Sequence, residues 1–433
     1  MSPRRVTTLA LAAALGWAGS ASAAAPPTRQ QLPTGLTVLV RENPATAVVA
    51  ASLFVRMGSR WETEDDAGIS HLLQQVLVKG TTRRSALEIA ETAETLGGGL
   101  GASADFDYSE VHATALARNW KAMLELIADV ALRPTLPAAE IDGERRAILT
   151  ALRSRQDQPF SLAMDTLLSR VYGDHPYGRP VLGRPAALER IDRVHLAAHH
   201  QRFYRAPRMI LAVSGDVDAR QVMAEAARLF ADAPKGPAEA EPSLPAAAAR
   251  ADRTVIVRPS AQAQVLAGFL APPISHADYA AVKVLTTALG GGMAGRLFTE
   301  VRDKQGLAYS TSGAYPSRQG PGVLFTQLGT APANQGRAET AMLGELERIR
   351  RDPLSPSELA RAKGYLLGNF ALDRRTNVRL AWWDAFFEAV GVGPGFAERY
   401  ERAAEAVTVE DVQRVARAYM SAPTVVTLGP AAP

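Results

Sequence analysis

The chain has 433 residues, of which 47% are hydrophobic and 21% charged, and it carries a formal net charge of +4. That length exceeds one core of ordinary size, and the composition excludes a fibrous or disordered chain, so two globular domains are expected. The near-balanced charge, with no basic cluster, argues against nucleic-acid binding; the absence of cysteine excludes a disulfide framework, leaving stability to packed cores.

At the start of the chain, Arg4 and Arg5 precede an uncharged apolar run from Val6 to Ala18, and the small residues SASAAA follow. This is the layout of a secretory signal peptide over residues 1–23, with cleavage expected after Ala23; an uncleaved anchor is the alternative. The run is short for a membrane span, and no later stretch approaches about 18 apolar residues, so no membrane insertion is expected after cleavage. Removing Arg4 and Arg5 from the 48 basic residues leaves 46 against 44 acidic ones, a charge of +2.

LTVLVRE (36–42) and AVVAASLFVRM (47–57) read as strands, residues 68–79 as a helix, and a glycine run follows at Gly97–Gly99. GASADFDYSEVHATAL (101–116) reads as a strand pair, LPAAEIDGERRAILTAL (136–152) as a helix opening on proline and an acid, and Met209–Val213 as a strand. Residues 231–253 are rich in Pro and Ala without sustained period, which marks an interdomain linker between 26–230 and 254–433. The order then repeats: strands at 253–259 and 264–271, a helix at 277–289, glycines at Gly290–Gly292, a strand pair within 308–328, a Pro-small-acid helix at 354–370, and a strand at 425–429. An internal duplication of α+β domains explains this, with two unrelated domains of similar composition as the alternative.

The stretch GISHLLQQVLVKGTT (68–82) sets the functional question, because helical spacing gathers His71, Gln74 and Gln75 on one face. Gly68, His71, Leu72, Leu73, Lys79, Gly80 and Thr81 stand in an order that resembles the metal-binding helix of the pitrilysin and mitochondrial-processing-peptidase family, the insulinase-like inverzincins. RMGSRWE (56–62) and the segment from Leu116 through Arg145 extend the resemblance over nearly the whole mature chain. It implies an α+β fold of two homologous domains, each a mostly antiparallel sheet packed with helices, together forming half of a clam-shell chamber.

In that family HxxEH supplies two zinc-binding histidines and a glutamate base, and a later glutamate is the third ligand. Here the corresponding positions are His71, Gln74, Gln75 and Ala151. A primary amide does not titrate near neutrality and is a poor zinc ligand, and alanine is none, so the zinc site is degenerate and no metal or other cofactor is expected in this chain. His195, His199 and His200 lack an HExxH partner and read as solvated; His112, His175 and His276 show no convergent partners.

The second half contains RDKQGLAYS, with helical spacing at Leu297, Phe298 and Val301, a break at Gly306, and a strand expected over Leu307–Ser312. Arg302 and Tyr309 match the spacing of the family's Arg/Tyr pair. By resemblance, Tyr309 donates to the oxyanion on the scissile carbonyl and Arg302 holds substrate carbonyls. Read without the resemblance, they are a helix-end cation and an amphipathic strand residue. Gly101, Ala102 and Ser103 fall on the strand at 101–107, where the family adds an extended peptide; its usual Asn is Gly101 here.

The expectation is therefore a non-catalytic subunit of an exported heterodimeric zinc metallopeptidase, inactive alone. Its partner is a homologous subunit with intact HxxEH that carries the zinc, and the substrate is a peptide or unfolded polypeptide. The leader points to the periplasm, with release outside the cell as the other destination. The competing expectation is a catalytically silent scaffold or peptide-binding protein of the same fold.

Overall fold

The computed structural model describes residues 26–236 and 241–431; the expected signal segment lies outside them. Two sheets organise the chain. The first contains β1 (Thr28–Gln31), β2 (Thr37–Glu42), β3 (Val48–Val55), β4 (Leu100–Ala104), β5 (Ser109–Leu116) and β6 (Met209–Gly215), in the order β1-β2-β6-β3-β5-β4. The second contains β7 (Asp252–Val257), β8 (Ala263–Ala271), β9 (Ser310–Ala314), β10 (Gly322–Thr330) and β11 (Thr424–Gly429), in the order β7-β11-β8-β10-β9. Every pairing is antiparallel except β2 with β6 and β7 with β11. Both sheets are mostly antiparallel, as the family resemblance implied.

The helices of the first half are α1 (Ile69–Leu77), α2 (Ala86–Thr95), α3 (Trp120–Leu132), α4 (Ala138–Asp157), α5 (Pro159–Tyr172), α6 (Pro185–Leu188), α7 (Arg193–Phe203) and α8 (Ala219–Leu229). Those of the second are α9 (Tyr279–Gly290), α10 (Gln335–Arg351), α11 (Pro356–Asp373), α12 (Asn377–Ala389), α13 (Phe396–Ala406) and α14 (Val409–Tyr419). No described helix is long and apolar enough to cross a membrane.

One face of each sheet packs on helices of its own half, and the other face receives a helix from the opposite half. Helix α12 lies on β3 and β6, where Ala381, Ala385 and Phe386 share a core with Leu39, Phe54, Ile210 and Ala212. Helix α5 lies on β8 and β11, packing Ala163, Leu167 and Val171 against Leu266, Val426 and Leu428. Gly268 permits that approach, since a Cβ there would stand 3.1 Å from Leu167. Burial on two faces explains why β3 and β8 read as nearly continuous apolar runs rather than alternating ones.

Polar groups fix the register of the α12 crossing. The Arg41 guanidinium forks onto Asp384 at 2.9 and 2.8 Å, with both side chains buried. Asn377 donates to the Val48 carbonyl at 2.8 Å and accepts from Ser214 and Asn43 at 3.1 and 2.7 Å. Arg29 on β1 reaches Glu388 at 2.8 Å. Burial pushes the Asp384 carboxyl up despite its guanidinium partner, so desolvation outweighs the attraction there.

Two local expectations are corrected. Tyr309 precedes its strand, which runs from Ser310 to Ala314 rather than Leu307–Ser312, because Leu307 and Ala308 are drawn into the core. His199 is buried beside Ser70 Oγ at 3.2 Å, and His200 lies over the Tyr204 ring with Nε2 2.8 Å from the Ala131 carbonyl oxygen; only His195 is exposed. Helix α7 packs edgewise into the first core, so residues that look like a polar face in sequence form its inner side.

Asp384→Ala is expected to destabilise the protein by about 3–5 kcal/mol, because it strips a buried guanidinium of its carboxylate. Arg41→Met with Asp384→Leu is expected to come back to within about 1 kcal/mol of the parent. Urea denaturation of the three proteins checks this, and an equally unstable double variant would contradict it.

Candidate functional site

Helix α1 begins at Gly68, whose φ of +100° suits glycine, and its first N–H groups need acceptors. Glu62 supplies them from a distance: its buried carboxylate accepts from Gly68 N–H at 2.8 Å and Ser70 N–H at 2.9 Å. Burial pushes the Glu62 carboxyl up to about 7, the two backbone donations working the other way. Ile69, Leu72, Leu73, Val76 and Leu77 then anchor the helix in the first core.

Of the three residues expected on one degenerate zinc face, His71 and Gln75 are half-buried while Gln74 turns into the core. His71 is half-buried, and burial lowers its pKa while nearby Glu144 on α4 pulls the other way. Glu144 is in turn engaged by Lys79 Nζ at 2.8 Å. Ala151 lies two turns along α4 on the same side as Glu144, exposed and without a polar atom. Gln75 is half-buried.

Gln74 is fully buried and turned inward, donating from Nε2 to Tyr204 Oη at 2.7 Å while its Oε1 stands buried without a partner. Among the described residues, no three His, Cys, Asp or Glu side chains gather closely enough to hold a metal ion. The residues present do not fit zinc: one imidazole remains, the base position holds an amide committed to the core, and the third-ligand position ends in a methyl group. Tyr204 and Lys79 were missed in sequence as partners of this surface, since each depends on a contact between elements distant in the chain.

Strand β4 is the free edge of the first sheet, so Gly101, Ala102 and Ser103 are placed where an extended chain can add. In register, Gly101 faces His112, whose ring covers it: a Cβ at 101 would meet His112 Nε2 at 2.8 Å. The imidazole thus fills the room that a side chain at 101 would occupy.

Arg302 and Tyr309 lie in the second half of the chain, between α9 and β10. Residues Leu297–Asp303 form a π-helical turn, closed by the Lys304 N–H to Thr299 carbonyl bond of 3.1 Å. The turn leaves Arg302 exposed, its guanidinium 4.6 Å over the Phe298 ring. Gly306, at φ +63°, reverses the chain, and the Tyr309 N–H is fixed on the Gly329 carbonyl at 2.8 Å. The Tyr309 side chain is 61% exposed, and among the described residues neither it nor Arg302 has a side-chain hydrogen bond or ion pair. The chain holds these donors out to solvent on a fixed backbone.

Comparison with known proteins places this geometry. Residues 37–184 match the profile described as insulinase (peptidase family M16), and residues 190–366 match that described as peptidase M16 inactive domain. Proteins of Mycobacterium bovis and Mycobacterium tuberculosis, each described as an uncharacterized zinc protease, are 32% identical over 92% of this chain and 92% of their own length. A crystal structure of a peptidase M16 inactive domain from Pseudomonas fluorescens superposes with a TM-score of 0.88 at 25% identity, covering 94% of this chain and 98% of that one. A protease from Helicobacter pylori shares the fold with a TM-score of 0.87 at 23% identity, covering 93% of this chain and 99% of that chain.

Tyr204→Phe removes the partner of the buried Gln74 amide and is expected to cost about 1–3 kcal/mol, whereas Tyr204→Phe with Gln74→Leu recovers most of it. Thermal unfolding of both variants reads this. Glu62 gives a pH test. An acid whose folded pKa is raised contributes stability that is complete below its unfolded value, about 4.5, and is lost as pH rises through about 7. Relative to the parent, Glu62→Gln is therefore expected to gain about 3 kcal/mol between pH 4.5 and 8; a pH-independent difference would contradict it.

Proposed function

The chain belongs to the insulinase family of M16 peptidases, and on that premise we propose that it is a non-catalytic subunit of an exported heterodimeric zinc metallopeptidase. The observation that carries the reading is the contrast between its two halves. The face where the family binds zinc retains His71 but holds Gln74, Gln75 and Ala151, with Gln74 committed to Tyr204 in the core. The Arg302/Tyr309 pair, by contrast, stands exposed with no side-chain hydrogen bond or ion pair among the described residues. A buried amide cannot take a proton from water near neutral pH, so hydrolysis requires the zinc and the base of another chain.

That chain is a homologous subunit with intact HxxEH, which carries the zinc. Across the shared chamber, Tyr309 donates its phenolic hydrogen bond to the oxyanion that develops on the scissile carbonyl, and Arg302 holds neighbouring backbone carbonyls through its planar fork. Such donors contribute most when aimed before the charge develops, which the fixed backbone of Tyr309 favours. The substrate is a peptide or unfolded polypeptide that extends along β4, bound through backbone groups of Gly101, Ala102 and Ser103. Arg4, Arg5 and the apolar run after them support export to the periplasm.

Tyr309→Phe keeps the ring and removes only the donor. In the assembled pair it is expected to slow peptide hydrolysis by about 10²–10³-fold while leaving assembly unchanged, as measured by kcat/KM and size-exclusion chromatography. A slowdown below about threefold would overturn the role of Tyr309 and favour a catalytically silent scaffold.

A further inference from the structure

One edge strand of each sheet, β4 and β9, leads to the same place. The loop after β4 carries Asp105, Phe106 and Asp107, and the loop after β9 carries Pro316, Arg318 and Gln319; the two meet tip to tip. Arg318 lies 3.4 Å from the Asp105 carboxylate and 4.4 Å over the Phe106 ring. The Gln319 N–H donates to Asp107 at 3.0 Å, the Gly320 N–H donates to the Tyr177 hydroxyl at 3.1 Å, and that hydroxyl donates to Asp107 in turn. Tyr172 on α5 donates to the Pro321 carbonyl at 2.9 Å. The polar groups of this junction are thus committed to one another, and its walls are held rigidly.

Between these tips and α5 lies a pocket of about 250 Å³, walled by Phe106, Phe160, Met164, Tyr172, Phe325 and Arg318. Its surface is overwhelmingly apolar, and Phe160, 42% exposed, stands at its mouth. An apolar cavity of about 150 Å³ accepts benzene, so this one has room for a phenyl or indole ring and its methylene. The duplicated fold offers an internal comparison. On the first sheet, the corner between the crossing helix α12 and the β3–β5 pair is filled by Trp382, whose ring sits edge-on to Phe54 and Tyr108 at 6.1 Å. On the second sheet, the matching corner between α5 and β10 is this open pocket.

We infer that the pocket where the two edge hairpins meet takes one aromatic side chain of the bound polypeptide and so sets a preference for aromatic residues in the substrate. This rests on the reading that the polypeptide extends along β4. Phe106 follows the end of that strand by two residues, so a chain continuing past Ala104 reaches the mouth within one or two residues at about 3.3 Å each. Inside, the ring packs against aromatic walls and beneath the Arg318 guanidinium, a cation–π arrangement that aliphatic side chains do not satisfy.

The test uses the mature chain labelled with ¹³C-methyl methionine, in which the Met164 methyl group reports from the pocket wall and a ¹⁵N-serine label reports from Ser103 on β4. The probe is the acetylated, amidated peptide Ala-Ala-Phe-Ala-Ala, compared with its Ala-for-Phe counterpart. The expected result is a saturable shift of Met164 with the Phe peptide, about tenfold weaker apparent affinity for the Ala peptide, and a several-fold loss on Phe160→Ala, an exposed change that leaves the fold intact. Perturbation of Ser103 with Met164 silent would overturn the pocket and leave the edge-strand reading standing. Silence at both positions up to about 10 mM would overturn both. Equal shifts with the two peptides would overturn the aromatic preference.

Discussion

The reciprocal crossing of α5 and α12 is the constraint on which the rest of the structure depends. Each sheet has two apolar faces, and its own half supplies helices for only one of them. Left alone, either half would present a sheet face too large and too apolar for water, so each is completed by a helix of the other. The linker therefore joins two units that are one packed body, with the Arg41–Asp384 pair and the Asn377 cluster setting the register. That packing fixes the edge strands β4 and β9, helix α1 and the Tyr309 segment relative to one another.

Within that frame the two halves have diverged in chemistry more than in shape. Helix α1 has a glycine start, a buried Glu62 cap and an apolar stripe, and of the positions expected to hold zinc only His71 keeps a ligating side chain. Gln74 shows one consequence of the change: its neutral amide is buried on Tyr204 with Oε1 unpartnered, a smaller desolvation cost than an ionised carboxylate would carry there. Gly101 and His112 form a second such exchange, one residue yielding the space that the other occupies. The exposed Arg302 and Tyr309 show no comparable withdrawal into the core.

Much of the fold was legible in the sequence because it is written in local pattern. The strands near 36–42, 47–57 and 264–271 are apolar runs bounded by turn residues, and α1, α4 and α9 follow from helical spacing and N-terminal signals. The crossing was not legible, since the apolar stripe of α12 says that it is covered without saying that β3, more than 300 residues earlier, covers it. The burial of His199 and His200 failed for the same reason. At the site, motif order singled out His71, Gln74, Gln75 and Ala151, but the inward turn of Gln74 required Tyr204, and the junction pocket required two loops about 200 residues apart. The π-helical turn at Arg302 left no signature beyond an ordinary helical period.

The most direct test of the account is reconstitution. The mature chain, a homologue carrying intact HxxEH, and the two together are purified, and zinc content and cleavage of a quenched fluorescent peptide are measured for each. The account predicts a zinc-free, inert single chain and a pair that binds zinc and hydrolyses far faster than the homologue alone. A pair that assembles yet works no faster than the homologue, or a single chain that retains stoichiometric zinc and cleaves peptide, would contradict it.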